Sequence, residues 1–299
     1  MTMSKKLVFF GNERLATGVN TTAPVLKALM NAGYDIKAVV SSYTEGQSRS
    51  PRRLEIAQVA EQHNIPLLLP EKIGDLKSDL AELGAGAAVL VAYGQIIPQP
   101  IVDVFPAGII NIHPSLLPKY RGPTPLEQAI LDGASKTGVS LMKLADKMDA
   151  GPVFAQQEVR LSGSETKQEL ADKLLQLGSE VLVKDLPVIL DCSLRPKEQD
   201  EAKATYTKLL TKEDGVVNWA LPAENIERQV RAFANFPKSS AKIFRYDVII
   251  TRSRVAKDQN DGDLVMQCQP GWLEIQELIA PSGRKITGAD FFRGYSSGK

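Results

Sequence analysis

Two short segments carry residue types suited to moving a proton beside a developing negative charge. The first reads Asn111-Ile112-His113-Pro114-Ser115-Leu116-Leu117-Pro118-Lys119-Tyr120-Arg121-Gly122. An amide donates a neutral hydrogen bond, and an imidazole exchanges a proton near neutral pH. Alternation along a strand puts Asn111 and His113 on one face. The second segment is Met148-Asp149-Ala150-Gly151. A carboxylate in such a place is commonly a turn former. One that holds and polarises an imidazole completes an acid–base pair. A third segment, Val91-Ala92-Tyr93-Gly94-Gln95-Ile96-Ile97-Pro98, leaves an apolar run and opens a loop, with Pro98 placed for the first turn of a helix. The other histidine, His63, falls at a helix end, where a solvated or capping role accounts for it. Cys192 and Cys268 form no CxxC and have no metal-ligand spacing, so free thiols in a reducing cytosol and no metal site are expected.

These segments need a scaffold, and the first half of the chain supplies one. Leu7–Phe10, Ile36–Val40, Ile65–Leu69, Ala87–Val91 and Ile109–His113 read as strands. Between them run helical patterns: one capped by Thr21 and Thr22, one at Leu54–His63 and one near Ile73–Leu83. The strands are too continuously apolar to be half-exposed, and their alternation with helices implies βαβ units and a mostly parallel sheet. Gly138–Leu144 and Val153–Val159 are two further strands. A long helix starting near Lys167 is expected to end before Pro187. The turn Gly11-Asn12-Glu13-Arg14-Leu15-Ala16-Thr17-Gly18 is not GxGxxG, and no GxxxxGK[ST] occurs, so NAD or ATP binding of the usual kind is excluded. Ligands of open parallel sheets still sit at the carboxyl ends of the strands.

The texture changes at Asp191, where a polar stretch with Pro196 reads as a linker. A short helix, Ala223–Phe233, follows. Strands at Lys242–Arg245, Val248–Thr251, Leu264–Gln267 and Leu273–Leu278 then suit a small barrel. The fold class is therefore α/β: a Rossmann-like, mostly parallel sheet with a smaller C-terminal β-barrel (OB-like) domain. The expected division is residues 1–190 catalytic, 191–205 linker and 206–299 C-terminal. A net charge of +1 implies no global field that dictates the partner. A short apolar run at the N-terminus and the lack of any long apolar segment point to a cytoplasmic protein without a membrane partner.

Together these segments resemble the folate-dependent formyltransferase family. Asn111, His113 and Asp149 match that family's Asn–His–Asp triad in order and spacing. The resemblance implies a 10-formyltetrahydrofolate co-substrate. Its pterin would rest against Gln95, Ile96 and Ile97 and against Leu144, Ala145 and Asp146. Ser115, Leu116, Leu117 and Pro118 would line the same cleft. The resemblance continues through Thr205-Tyr206, Leu210–Gly215, Asn218-Trp219, Arg231-Ala232-Phe233 and Gly288–Tyr295, which are similar to the C-terminal domain of members that formylate methionyl-tRNA. It implies the acceptor end of charged initiator tRNA as partner, a monomer, and no metal. The alternative acceptor is an amino-sugar nucleotide. Lys238, Lys242, Arg245, Arg252, Arg254 and Lys257 fall within a short strand-rich span of the part that the resemblance implies meets tRNA. Two loops depart from the tRNA-directed pattern: Gly11-Asn12-Glu13-Arg14 replaces Gly-Thr-Pro, and Tyr43–Arg53 is short and keeps only Arg49, Arg52 and Arg53.

Overall fold

The computed structural model describes residues 5–42 and 54–296. The Tyr43–Arg53 loop singled out above lies outside the described residues. Strands β1 (Lys6–Gly11), β2 (Asp35–Val40), β3 (Leu67–Leu68), β4 (Ala87–Val91) and β5 (Ile109–His113) pair in parallel in the order β3-β2-β1-β4-β5. β6 (Lys136–Lys143) and β7 (Val153–Arg160) join antiparallel beyond β5. Every residue of β4 and β5 is buried, as expected for strands covered on both faces. On one face Leu7, Phe9, Ile110 and Ile112 pack under helices α1 (Pro24–Asn31) and α6 (Lys167–Leu190). On the other, Val8, Phe10, Leu90 and Ile109 meet Leu80 of α3 (Lys77–Glu82) and Ile101 of α4 (Gln99–Val102). Each such fully buried aliphatic side chain contributes ~1.5–3 kcal/mol, so the central strands are the rigid part of the molecule. α2 (Glu55–Gln62) and α5 (Pro125–Leu131) complete this half.

The C-terminal part is a curled antiparallel sheet, the smaller β-barrel-like unit expected. β8 (Ser239–Ile243), β9 (Tyr246–Ala256), β10 (Val265–Gln267), β11 (Trp272–Ile279) and β12 (Lys285–Thr287) form it, in the order β10-β11-β9-β8 with β12 on β11. α7 (Ala223–Ala232) packs on it through Ile226 and Val230, and α8 (Gly288–Tyr295) through Phe291. Not expected from the sequence are β12, which is only three residues long, and the helix α8, which begins at Gly288.

Local details depart from expectation for identifiable reasons. The third strand shrinks to Leu67–Leu68 on the sheet edge. The Ile73–Leu83 helix splits into a 3₁₀ turn, Ile73–Leu76, and α3. α6 does not stop at Pro187 but runs on to Leu190. Proline removes only its own N–H bond, and buried Leu186 and Ile189 hold the last turn on the core. Thr21 and Thr22 do not cap α1, whose N-cap is Ala23. The Glu13 carboxylate does so from a distance, accepting from Val25 N–H at 2.9 Å and Leu26 N–H at 2.8 Å. Those two N–H groups have no intrahelical partner, so a fully buried carboxylate satisfies them.

Burial pushes the Glu13 carboxyl up to about 7, against the pull of the two N–H groups. Its folded pKa thus exceeds the unfolded value, and its contribution is full below about pH 4.5 and lost as pH rises to about 7. Glu13→Ala, which orphans two buried donors, should cost ~1–3 kcal/mol below about pH 5 in urea unfolding. The gap to wild type should narrow between pH 5 and 7. A gap that widens with pH would contradict this assignment.

Candidate active site

β5 ends at His113, and its register fixes which way the polar side chains look. Ile110 and Ile112 point into the cluster beneath α6. Asn111 and His113 therefore share the opposite face, 6 % and 4 % exposed. Among the described residues no group hydrogen-bonds the Asn111 amide, so its donor and acceptor remain for a ligand. His113 Nε2 lies 2.9 Å from the Tyr120 carbonyl oxygen. A carbonyl only accepts, so Nε2 carries a hydrogen. His113 Nδ1 faces Asp149 Oδ1 at 3.6 Å, an ion-pair separation longer than a hydrogen bond. A hydrogen on Nδ1 as well satisfies both neighbours. Donation by His113 to a substrate oxygen then means exchanging one of these contacts.

Asp149 sits at φ 49 in the turn between β6 and β7. Its second oxygen, Oδ2, accepts from Gly122 N–H at 2.7 Å. That turn is tight: a Cβ on Gly151 would lie 1.9 Å from the Lys143 carbonyl oxygen. Tyr120, Arg121 and Gly122 thus form one stretch whose backbone touches both members of the pair. Tyr120 itself is tied down by its hydroxyl, which donates to Asp132 at 2.9 Å. Burial and that carboxylate push the phenol up to about 12, so it stays protonated at working pH.

The Ser115–Pro118 segment is latched onto β6 and β7. Ser140 Oγ donates to the Ser115 carbonyl at 2.6 Å and accepts from Leu117 N–H at 3.1 Å. Gln156 Nε2 donates to the Leu117 carbonyl at 2.8 Å. Ser115 Oγ donates to the Lys119 carbonyl at 2.6 Å, so it shapes the loop and is not a free nucleophile. Ser115 and Leu117 are buried, whereas Leu116 and Pro118 are half-buried.

The two stretches expected to hold the pterin reach the site differently. Gln95, Ile96 and Ile97 follow β4, at the same sheet edge as His113, because β4 and β5 are parallel neighbours. Leu144 starts from the opposite end, since β6 is antiparallel and the Leu144 N–H donates to the Ile109 carbonyl. Leu144 and Ile97 nevertheless belong to one apolar cluster. Ala145 and Asp146 are exposed. Ile96 is 85 % exposed and Met148 63 %, large apolar side chains left uncovered on these two loops.

Other expectations resolve plainly. His63 is the exposed C-cap residue of α2. Arg14 in the turn after β1 is bound by Glu55 at 2.8 Å. Arg254 is not an available cation: Asp261 and Glu274 both pair with it. Lys242, Arg245 and Arg252 are exposed. Among the described residues no group of three or more His, Cys, Asp or Glu could hold a metal ion, and no helix is long and apolar enough to cross a membrane. Sequence reasoning missed Gln199, which donates to the Asp149 carbonyl at 2.8 Å and the Gly151 carbonyl at 2.7 Å. It lies in the polar stretch with no apolar period, so no pattern marked it.

The sheet order, with a polar constellation at the carboxyl end of β5, is that of an α/β protein whose site lies where open parallel sheets place their ligands. Residues 6–186 match the formyl transferase family and residues 209–296 its C-terminal domain, and the chain belongs to this family. It is 33 % identical over 308 residues to the methionyl-tRNA formyltransferase of Roseiflexus castenholzii, covering 98 % of this chain and 96 % of that one. Among solved structures it is similar to WlaRD, a sugar 3N-formyl transferase solved with dTDP and 5-N-formyl-THF. That match has a TM-score of 0.66 at 18 % identity and covers 96 % of this chain and 97 % of that one. HypX from Aquifex aeolicus, solved with tetrahydrofolic acid, gives 0.64 at 16 % identity over 98 % of this chain. This chain spans about half of HypX, 47 % of its length. These two likenesses speak to the fold.

Proposed function

We propose that this chain transfers a formyl group from 10-formyltetrahydrofolate to the amino group of initiator methionyl-tRNA. The observation that carries the reading is the His113–Asp149 pair at the end of β5, with Asn111 on the same face of that strand. It occurs in a chain that aligns through both halves with a methionyl-tRNA formyltransferase. The folate co-substrate supplies an activated formyl carbonyl. Asn111, with its amide uncommitted, donates to the carbonyl oxygen as negative charge grows there. His113 gives the second hydrogen by releasing Tyr120 or Asp149. As the bond from the amine to the formyl carbon forms, Asp149 receives, through His113 or through water, the proton that the amine sheds, and the same proton is returned to N10 as the bond between the formyl carbon and N10 breaks and tetrahydrofolate leaves. Gln95, Ile96 and Ile97 with Leu144, Ala145 and Asp146 hold the pterin, and exposed Ile96 offers an apolar face for it. Ser115 to Pro118 line the cleft. The working division is 1–190 for catalysis, 191–205 as connection and 206–299 for tRNA.

The alternative acceptor is an amino-sugar nucleotide; Arg14, the cation in the turn after β1, is paired with Glu55 and so does not distinguish the two. The two acceptors differ in how many phosphates they present. Phosphate contacts release counterions, so affinity for tRNA should fall steeply with salt. Reversing exposed charges, in Lys242→Glu/Arg245→Glu/Arg252→Glu, should raise KM for methionyl-tRNA ~10-fold or more and flatten the salt slope by about one per lost contact. KM for the folate should stay within about twofold, since those residues belong to the C-terminal sheet and not to the segments proposed to hold the pterin. Salt-independent tRNA affinity, or an unchanged KM in the triple variant, would favour the sugar nucleotide. Deleting the C-terminal part near Lys203 is a poorer test, because it removes Thr205 and Thr207, whose backbone groups bond both sides of Arg121.

A further inference from the structure

We propose that Gln199, in the polar connection between the two parts, is a positioning residue for the His113–Asp149 pair. The proposal rests on the formyl-transfer reading above and concerns how that site is held.

The Arg121 guanidinium has no solvent exposure, although it lies on a loop. A buried guanidinium is tolerated when its donors are all engaged. Here Nε donates to Gln199 Oε1 at 3.1 Å, and one terminal nitrogen donates to the same oxygen at 2.9 Å and to Glu201 at 2.7 Å. The other donates to Glu201 at 3.0 Å and to the Tyr206 hydroxyl at 2.9 Å. All five N–H groups are used, and every partner comes from residues 199–206. Glu201 holds the guanidinium above its ordinary range.

Gln199 carries this anchor into the site. Its oxygen takes two Arg121 hydrogens, and its amide nitrogen spends both of its own on the Asp149 and Gly151 carbonyls. The residues flanking Arg121 make the remaining contacts: the Tyr120 carbonyl on His113 and the Gly122 N–H on Asp149. The same segment reinforces the loop. Arg121 N–H donates to the Thr205 carbonyl and Thr207 N–H to the Arg121 carbonyl. Gly122 lies so close to Thr207 that a Cβ would meet its carbonyl oxygen at 2.8 Å. One side-chain amide thus bridges the loop that orients the imidazole and the turn that carries the carboxylate. The 3.6 Å separation across the pair is set between those two supports.

Gln199→Glu separates the two sides of this bridge. A carboxylate still accepts from Arg121 but presents only acceptors to the two carbonyls, so the anchor survives and the turn is pushed away. A shift of about 1 Å at reacting groups costs up to ~10²-fold in rate. Gln199→Glu should therefore lower kcat ~10–100-fold, keep KM for formyl-folate and methionyl-tRNA within about threefold, and alter the shape of the kcat–pH profile. Gln199→Leu, which also strands Arg121, should be worse and less stable. Thermal unfolding and active-site titration of the full chain give the folded fraction. The proposal is overturned if Gln199→Glu keeps wild-type kcat per folded molecule, or if its losses follow the folded fraction with a superimposable pH profile. His113→Ala is measured in parallel. If it too retains wild-type turnover, the formyl-transfer site itself is misplaced. If it is inactive while Gln199→Glu is normal, only the positioning role fails.

Discussion

His113→Ala is expected to lower kcat by ~10²–10⁴, the range for losing an acid–base group or an oxyanion donor. The imidazole sits between the Tyr120 carbonyl and Asp149, almost fully buried, with each nitrogen facing a group of the polarity that draws a hydrogen towards it. Removing it leaves a void on a rigid strand end and takes from Asp149 Oδ1 the ring nitrogen it faces. No neighbouring residue can substitute, since Ser115 spends its hydroxyl on its own loop. Asn111→Ala should fall in the same range for a different reason. Its amide is uncommitted, so its loss disturbs no internal bond and reads directly on the substrate oxygen. The fold should survive both changes, because Ile110 and Ile112 on the other face of β5 hold the strand. Steady-state kinetics on folded protein decides the matter. Wild-type turnover in either variant would remove that residue from the mechanism.

Asp149→Asn should abolish most of kcat, by ~10²-fold or more, while KM for formyl-folate changes little. The carboxylate has two jobs that this substitution separates. Its Oδ2 accepts the Gly122 N–H, which the asparagine oxygen can also do, so the loop is retained. Its Oδ1 faces His113 Nδ1 with a full charge, which asparagine lacks. An amide nitrogen there would turn a donor towards the ring and disfavour a hydrogen on Nδ1. Of the proposed pterin residues, Gln95 to Ile97 lie on a different loop, and Leu144 to Asp146 share the β6–β7 connection with Asp149, which the retained Gly122 bond keeps in place, so ground-state binding should persist. A variant that loses folate affinity but keeps kcat would make Asp149 a binding or turn residue.

The sequence made the scaffold readable because buried parallel strands are nearly uniform in chemistry. Ala87–Val91 and Ile109–His113 were bounded correctly from their apolar runs alone. The alternation of β5 likewise puts Asn111 and His113 on one face without reference to the rest of the fold. What periodicity does not show are bonds between distant segments. Nothing in the turn Gly11–Gly18 marks Glu13, yet it caps a helix more than ten residues away. Pro187 looked like a stop, yet the core packing of Leu186 and Ile189 outweighs one missing bond. The 191–205 stretch looked like a tether because polar residues without a period usually mean solvent. Its Gln199 and Glu201 instead face a buried arginine, and only the three-dimensional pairing reveals it.

The most direct measurement is transfer of labelled formyl from 10-formyltetrahydrofolate, followed with charged methionyl-tRNA and with amino-sugar nucleotides as acceptors under identical conditions. The expected result is N-formylmethionyl-tRNA formed at a rate that His113→Ala lowers at least 10²-fold, with no product from the sugar nucleotides. Formylated sugar nucleotide with methionyl-tRNA left unmodified, or equal rates for wild type and His113→Ala, would contradict it.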